Sequence, residues 1–309
     1  MTGPPDLIAL GECMAELSGV DGERRLGFGG DTLNTALLTA RMLGAGRVAY
    51  MTRLGDDPYS TAMLEAWHAE GIDCRMTEVE PAATVGLYAI ETGADGERSF
   101  TYWRSAAPAR GLMTEGAWQA RIEALGQARA IYLSGITLAI LPEAGRHRLI
   151  DVLGRARAAG ALVAVDPNHR PRLWRATEAA QWIHQAYAVA TLVLSSPEEE
   201  ASLFGDGDPF ERLAKIGVPS VVLKAGAAGA ESLADGARVH SPAAVTEAID
   251  TTGAGDAFNA GVLAHLLSET EGGLAAATRA GCALGALAVR HWGAIPPQPA
   301  MSGWSAASP

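Results

Sequence analysis

A chain of 309 residues, 48% apolar and 19% charged with 36 glycines and 16 prolines, is long enough for one large or two small domains and apolar enough to bury a core, which excludes a disordered or collagen-like protein. Acidic residues number 35 against 24 basic ones, a net charge of −11 without a basic cluster, so no nucleic-acid partner is expected. No apolar run is long enough to span a membrane and no basic-then-apolar leader opens the chain. The three dispersed cysteines, Cys13, Cys74 and Cys282, form no zinc pattern, so neither membrane insertion nor export is expected and a reducing, cytoplasmic setting fits.

In chain order, the apolar run Leu7 to Leu10 reads as a buried strand. Glu16 to Phe28 suggests two short strands around Asp21-Gly22. Gly29-Gly30-Asp31-Thr32-Leu33-Asn34 then leads into an amphipathic helix with Leu33, Leu37 and Ala40 on one face. Asp31 or Thr32 there is either an N-cap or part of a site, whereas Asn34, inside the first turn, has no capping reason and suits a hydroxyl or carbonyl ligand. Val48 to Met51 is a second buried strand, followed by a helix ending near Glu70. From Thr84 to Thr92 the residues alternate, Val85, Leu87 and Ala89 against Gly86, Tyr88 and Ile90. After a turn at Gly93-Ala94-Asp95-Gly96-Glu97, Phe100, Tyr102 and Arg104 share a face, with Trp103 on the other. An ordinary half-buried hairpin would account for the period, but tyrosines and an arginine on the polar face suggest a working surface. Runs at Ala130 to Leu133, Ala161 to Val165, Thr191 to Leu194 and Ser220 to Leu223 begin about 30 residues apart, with helix-like segments between them such as Gly145 to Ala159 and Ala179 to Ala188. These predict βαβ units and a mostly parallel sheet.

Besides Gly29 to Asn34, two motifs carry chemistry. Asp250-Thr251-Thr252-Gly253-Ala254-Gly255-Asp256 opens a helix, where free N–H groups and the helix dipole suit a phosphate. A tight turn is the plain alternative. An aspartate at an anion site needs a task, however, and taking a proton from an attacking hydroxyl is one. Asp166-Pro167-Asn168-His169-Arg170-Pro171-Arg172 follows a strand directly, where parallel sheets bind ligands. No P-loop is present, and Leu10-Gly11-Glu12-Cys13 lacks the dinucleotide fingerprint.

With these segments in view, Gly29-Gly30-Asp31 and Asp250 to Gly261 resemble the two signatures of the PfkB, or ribokinase, family of sugar kinases. The likeness extends over essentially all 309 residues. The runs Gly29 to Thr35, Gly96 to Arg104 and Asp166 to Trp174 resemble most closely those members that phosphorylate a six-carbon keto-deoxy sugar acid. The resemblance implies a three-layer α/β/α fold with a small β-sheet lid formed by about 14–28 and 73–106, inserted in a single kinase domain over 1–309. It implies Asp256 as base, with the Gly253-Ala254-Gly255 backbone as anion hole. It places Gly30, Asp31, Asn34, Tyr88, Tyr102, Arg104 and Arg170 at the sugar acid, the arginines suiting a carboxylate. It places Asn168, Arg170, Ser196, Lys224, Gly226, Gly229, Gly253, Gly255 and Cys282 at ATP. Magnesium is expected with Glu199 as a water-mediated partner, and a monovalent cation such as K+ beside Asp250. Two departures stand out: Ser196-Pro197-Glu198-Glu199 replaces the family's Asn-x-x-Glu, and Cys282 stands where many relatives carry asparagine near the adenine. A homo-oligomer is expected. The rival readings are a neutral-sugar kinase, which has no need of Arg104, a kinase of another keto acid, a non-catalytic sugar-binding regulator, which has no need of Asp256, and, more distantly, an NAD-dependent enzyme, which would need the missing fingerprint.

Overall fold

The computed structural model describes residues 3–19, 24–92, 98–114, 119–244, 246–268 and 270–302. Its strands in chain order are β1 (Leu7–Leu10), β2 (Met14–Ser18), β3 (Arg25–Gly29), β4 (Val48–Met51), β5 (Arg53–Gly55), β6 (Glu78–Glu80), β7 (Leu87–Thr92), β8 (Arg98–Trp103), β9 (Ala130–Ser134), β10 (Leu162–Asp166), β11 (Leu192–Ser195), β12 (Ser220–Lys224), β13 (Ala230–Ala234) and β14 (Ala237–Ser241). All six apolar runs read from the sequence are strands, and they pair parallel in the order β12-β11-β10-β9-β1-β4. They are unbroken apolar runs because both faces are covered. On one side Ile8, Leu10, Met51, Ile131 and Leu133 pack with the helices Glu143–Ala158 and Ala176–Val189. On the other, Leu7, Ala9, Tyr50 and Tyr132 meet Leu33 of helix Asp31–Leu43 and Phe258 and Val262 of helix Ala254–Leu267. The alternation of side chains along each strand thus divides the core into two and makes the three layers. The hairpin β13–β14 extends the sheet antiparallel beyond β12; periodicity did not foretell it, because β14 is exposed along most of its length.

A second, four-stranded sheet runs β3-β2-β7-β8. Tyr88 pairs with Tyr102 and with Glu16, and Ile90 with Phe100, so these residues share one face, as the alternation predicted. Leu87 pairs with Trp103 on the opposite face, where Trp103 and Leu26 stay exposed. The two expected turns, at Asp21-Gly22 and Gly93 to Glu97, lie outside the described residues. The expected lid segment 73–106 narrows in sheet terms to β7 and β8, because β6 pairs instead with β5 in a small separate ladder.

Chain connection places the site. Successive units run from β9 to β12 in one direction, while β1 and β4 lie on the other side of β9, so the order reverses between β1 and β9. A crevice opens outside the carboxyl ends of the strands at such a reversal, and there the motifs converge. Among the described residues, no helix is long and apolar enough to cross a membrane.

Candidate active site

Helix Asp31–Leu43 starts at the mouth of this crevice. Its cap position is Gly30, with no side-chain cap, so neither Asp31 nor Thr32 caps it as one of the sequence alternatives had it. Thr32 instead exchanges a hydrogen bond with the buried Tyr50 hydroxyl, and Asp31 accepts one from the Asn168 amide at 2.6 Å. Asn34 Nδ2 donates to Asp256 Oδ2 at 2.8 Å, while Asn34 Oδ1 is buried without a partner.

Asp256 lies in the first turn of helix Ala254–Leu267, whose cap, Gly253, has φ 72. A Cβ at Gly253 would stand 2.6 Å from the Ala294 carbonyl oxygen, so glycine is required for both conformation and space. Burial, then the charge of nearby Asp31, push the Asp256 carboxyl up to about 7, against which the Asn34 amide acts. A carboxylate with that value is matched to proton transfer near neutral pH, although it sits at a helix start that favours anions.

Behind it lies a buried polar chain. Lys224 Nζ donates to Asp166 Oδ2 at 2.7 Å and to Asn259 Oδ1 at 3.3 Å, and Asn259 Nδ2 donates to the same Asp166 oxygen and to the Tyr132 hydroxyl. Burial pulls the Lys224 ammonium down, but Asp166 and Glu199 outweigh it and the net shift is upward, so Lys224 is charged. Asp166 and Asn259 lie inside two of the sequence motifs, which by themselves assign neither residue a role. Their sequence signal is a polar side chain closing or interrupting an apolar run, and both are almost fully buried.

Ser196 caps helix Pro197–Phe204 by accepting from the Glu199 N–H at 3.2 Å. Glu199 accepts from the His169 N–H, and burial, then Asp166, raise its carboxyl to about 7. Asp250 accepts the N–H of Thr252 and of Gly293, each at 2.9 Å, which ties the loop before the Asp256 helix to the C-terminal segment. Cys282 is buried, its thiol donating to the Ser241 carbonyl.

The four-stranded sheet supplies the opposite wall. Tyr88 and Tyr102 stack at 5.9 Å between centroids, and Phe100 continues the row at 6.3 Å from Tyr102. Tyr88 donates to Glu16, and Arg104 pairs with Glu12, two carboxylates to which the sequence assigns no site role because they lie in a stretch without a recognisable motif. One cavity of about 1960 Å³ joins these walls and is lined by every site residue named from the sequence except Asp250. Tyr88, Tyr102, Arg104 and Asn34 stand at the lid end, while Gly226, Gly229 and Cys282 line the same continuous space. Arg170 lines it from an exposed position. Among the described residues, no three His, Cys, Asp or Glu side chains converge to cage a metal.

A crevice at the carboxyl ends of a parallel sheet, a helix start carrying a buried aspartate beside it and a second β-sheet facing it are what a carbohydrate kinase needs. The model of the pfkB family carbohydrate kinases matches residues 5–301, and the chain belongs to that family. The chain is 39% identical over 307 residues, 96% of its length and 98% of the other's, to the 2-dehydro-3-deoxygluconokinase of Escherichia coli strain K12. Its fold is similar to the crystal structure of a PfkB protein from Polaromonas sp. JS666, with TM-score 0.83, 26% identity and coverage of 97% of this chain and 100% of that one. It is also similar, at TM-score 0.81, 20% identity and 94% coverage of both chains, to a provisionally named ribokinase II from E. coli in complex with ATP and Mg2+.

Proposed function

We propose that the protein transfers the γ-phosphoryl group of ATP to the 6-hydroxyl of 2-dehydro-3-deoxy-D-gluconate. The observation that carries the reading is a single cavity that joins a helix-start aspartate, hydrogen-bonded by Asn34, to an arginine set among stacked tyrosines. The 39% identity over nearly the whole of both chains to a kinase named for this acid supports the substrate.

In this reading the stacked tyrosines and Arg104 take the sugar acid, the guanidinium meeting its carboxylate. Asn34 Oδ1, buried and unpartnered, accepts from a substrate hydroxyl. Asp256 takes the proton of the attacking hydroxyl as its oxygen bonds to the γ-phosphorus and the bond to the ADP oxygen breaks. The N–H groups at Gly253, Ala254 and Gly255 hold the transferring group, and Lys224 beside them adds positive charge. The lid keeps water out, so that phosphoryl transfer to the sugar is favoured over hydrolysis.

The donor set fits Mg2+ held chiefly by nucleotide oxygens and water, since Glu199 and Asp166 stand nearby without a cage. Bound magnesium neutralises charge on the phosphates. A monovalent cation beside Asp250 belongs to the same reading, as does pairing of two copies through the outer lid face that exposes Trp103 and Leu26.

The test is ADP release with magnesium-ATP and, in parallel, the keto acid, fructose, ribose and no acceptor. Release with the keto acid is expected. Release with fructose or ribose instead moves the assignment to a neutral-sugar kinase, and silence with every acceptor supports a binding protein. Arg104→Ala is expected to raise the keto-acid KM about 10- to 100-fold, from the loss of hydrogen bonds to a charged group, while moving the ATP KM little. Equal weakening of both ligands overturns the carboxylate role.

A further inference from the structure

We propose that Glu12 is a positioning residue that fixes Arg104 for the substrate carboxylate, an inference that rests on the sugar-acid reading above. Glu12 leaves the carboxyl end of β1 in the core, and Arg104 follows the last residue of β8 in the lid, 92 positions away. Their ion pair joins Arg104 Nη2 to Glu12 Oε2 with side chains 10% and 1% exposed. It is therefore a buried strut between core and lid and not a surface pair, the kind whose contribution is close to nothing.

The pair is incomplete on both sides. Arg104 Nε and Glu12 Oε1 are buried and lack hydrogen-bond partners. A buried guanidinium with a donor to spare, facing a cavity it lines, is short of one acceptor, and an incoming carboxylate supplies it. The Glu12 carboxylate holds Nη2, so that the long side chain, which would otherwise lose much rotamer freedom on binding, is ordered before the substrate arrives. Gly86 leaves the space for this arrangement, since a Cβ there would stand 3.2 Å from Glu12 Oε1 and 3.1 Å from Met14 Cγ. Arg110 lines the same cavity, so a second guanidinium stands there besides the one that Glu12 holds.

A carboxylate so close to Arg104 has an opposite reading, in which it competes with the substrate for the guanidinium. The two differ in sign. If Glu12 positions Arg104, Glu12→Gln raises the keto-acid KM about tenfold and Glu12→Ala somewhat more, with the ATP KM unmoved and kcat affected much less than the keto-acid KM. In the Arg104→Ala background, Glu12→Ala then adds little, because nothing remains to be positioned. Steady-state kinetics of wild type, both single variants at Glu12, Arg104→Ala and the double variant read all of this. Glu12→Gln, which keeps the size and one acceptor oxygen, carries the test alone if Glu12→Ala does not fold. A keto-acid KM that is unchanged or lower in Glu12→Gln, or full additivity in the double variant, overturns the proposal. Failure of the wild type to use the keto acid, or an Arg104→Ala effect shared equally with ATP, overturns instead the reading on which it rests.

Discussion

Replacing Asp256 by asparagine separates catalysis from stability. The folded protein holds this carboxyl at about 7 against a usual 3.8, because burial and then Asp31 disfavour its ionised form. The folded value lies above the unfolded one, so ionisation costs stability: nothing below about pH 4, more as pH rises toward 7, and the full amount above 7. At 1.36 kcal/mol per unit the rise corresponds to about 4 kcal/mol as an upper limit, reduced by solvent at the pocket edge to roughly 2–4 kcal/mol. Asparagine carries no charge, and its side-chain oxygen still accepts from Asn34. With about 2.1 cal/mol/K of unfolding entropy per residue, 1 kcal/mol is roughly 1.5 °C in a chain of this length. Asp256→Asn is therefore expected to melt about 3–6 °C above wild type at pH 8, with a smaller gap at pH 5.5. Turnover, measured as ADP release at saturating keto acid, is expected to fall about 10²- to 10⁴-fold with the loss of the base. A variant less stable than wild type at pH 8, or one turning over within tenfold of it, would refute the reasoning.

The same carboxyl sets the pH dependence, since only its deprotonated form takes a proton. The wild-type kcat/KM is expected to rise about tenfold per pH unit up to about 7 and to level off above, and a flat profile from pH 5.5 to 7.5 would contradict the assignment. Lys224→Met strands the buried Asp166 carboxylate with only its hydrogen bonds from Asn259 and the Asn168 N–H. A stability loss of about 3 kcal/mol is expected, the lower end for breaking a buried pair, read by thermal or urea unfolding together with a loss of turnover. Wild-type melting with impaired turnover would limit the lysine to the reaction.

Much of this was legible because the physics is local. Six apolar runs fix six parallel strands whichever helices cover them, and alternation between Tyr88 and Ile90 and between Phe100 and Arg104 fixes which residues share a lid face, since the pleat has period two. Glycines around Asp256 mark a helix start whose first N–H groups are left free of any side-chain cap. The sequence by itself thus determined the layered sheet, the hairpin whose tyrosines share a face and the aspartate at the helix start. Only the tertiary structure decided what each polar group meets. Asn34 on Asp256 bridges 222 positions, Lys224 on Asp166 bridges 58, and Arg104 on Glu12 bridges 92. Pairings at such separations leave no periodic trace, because they are set by which strand ends the chain crossings bring to one crevice. The same holds for the value near 7 at Asp256, since burial and the approach of Asp31 exist only once the two helix starts face each other across that crevice.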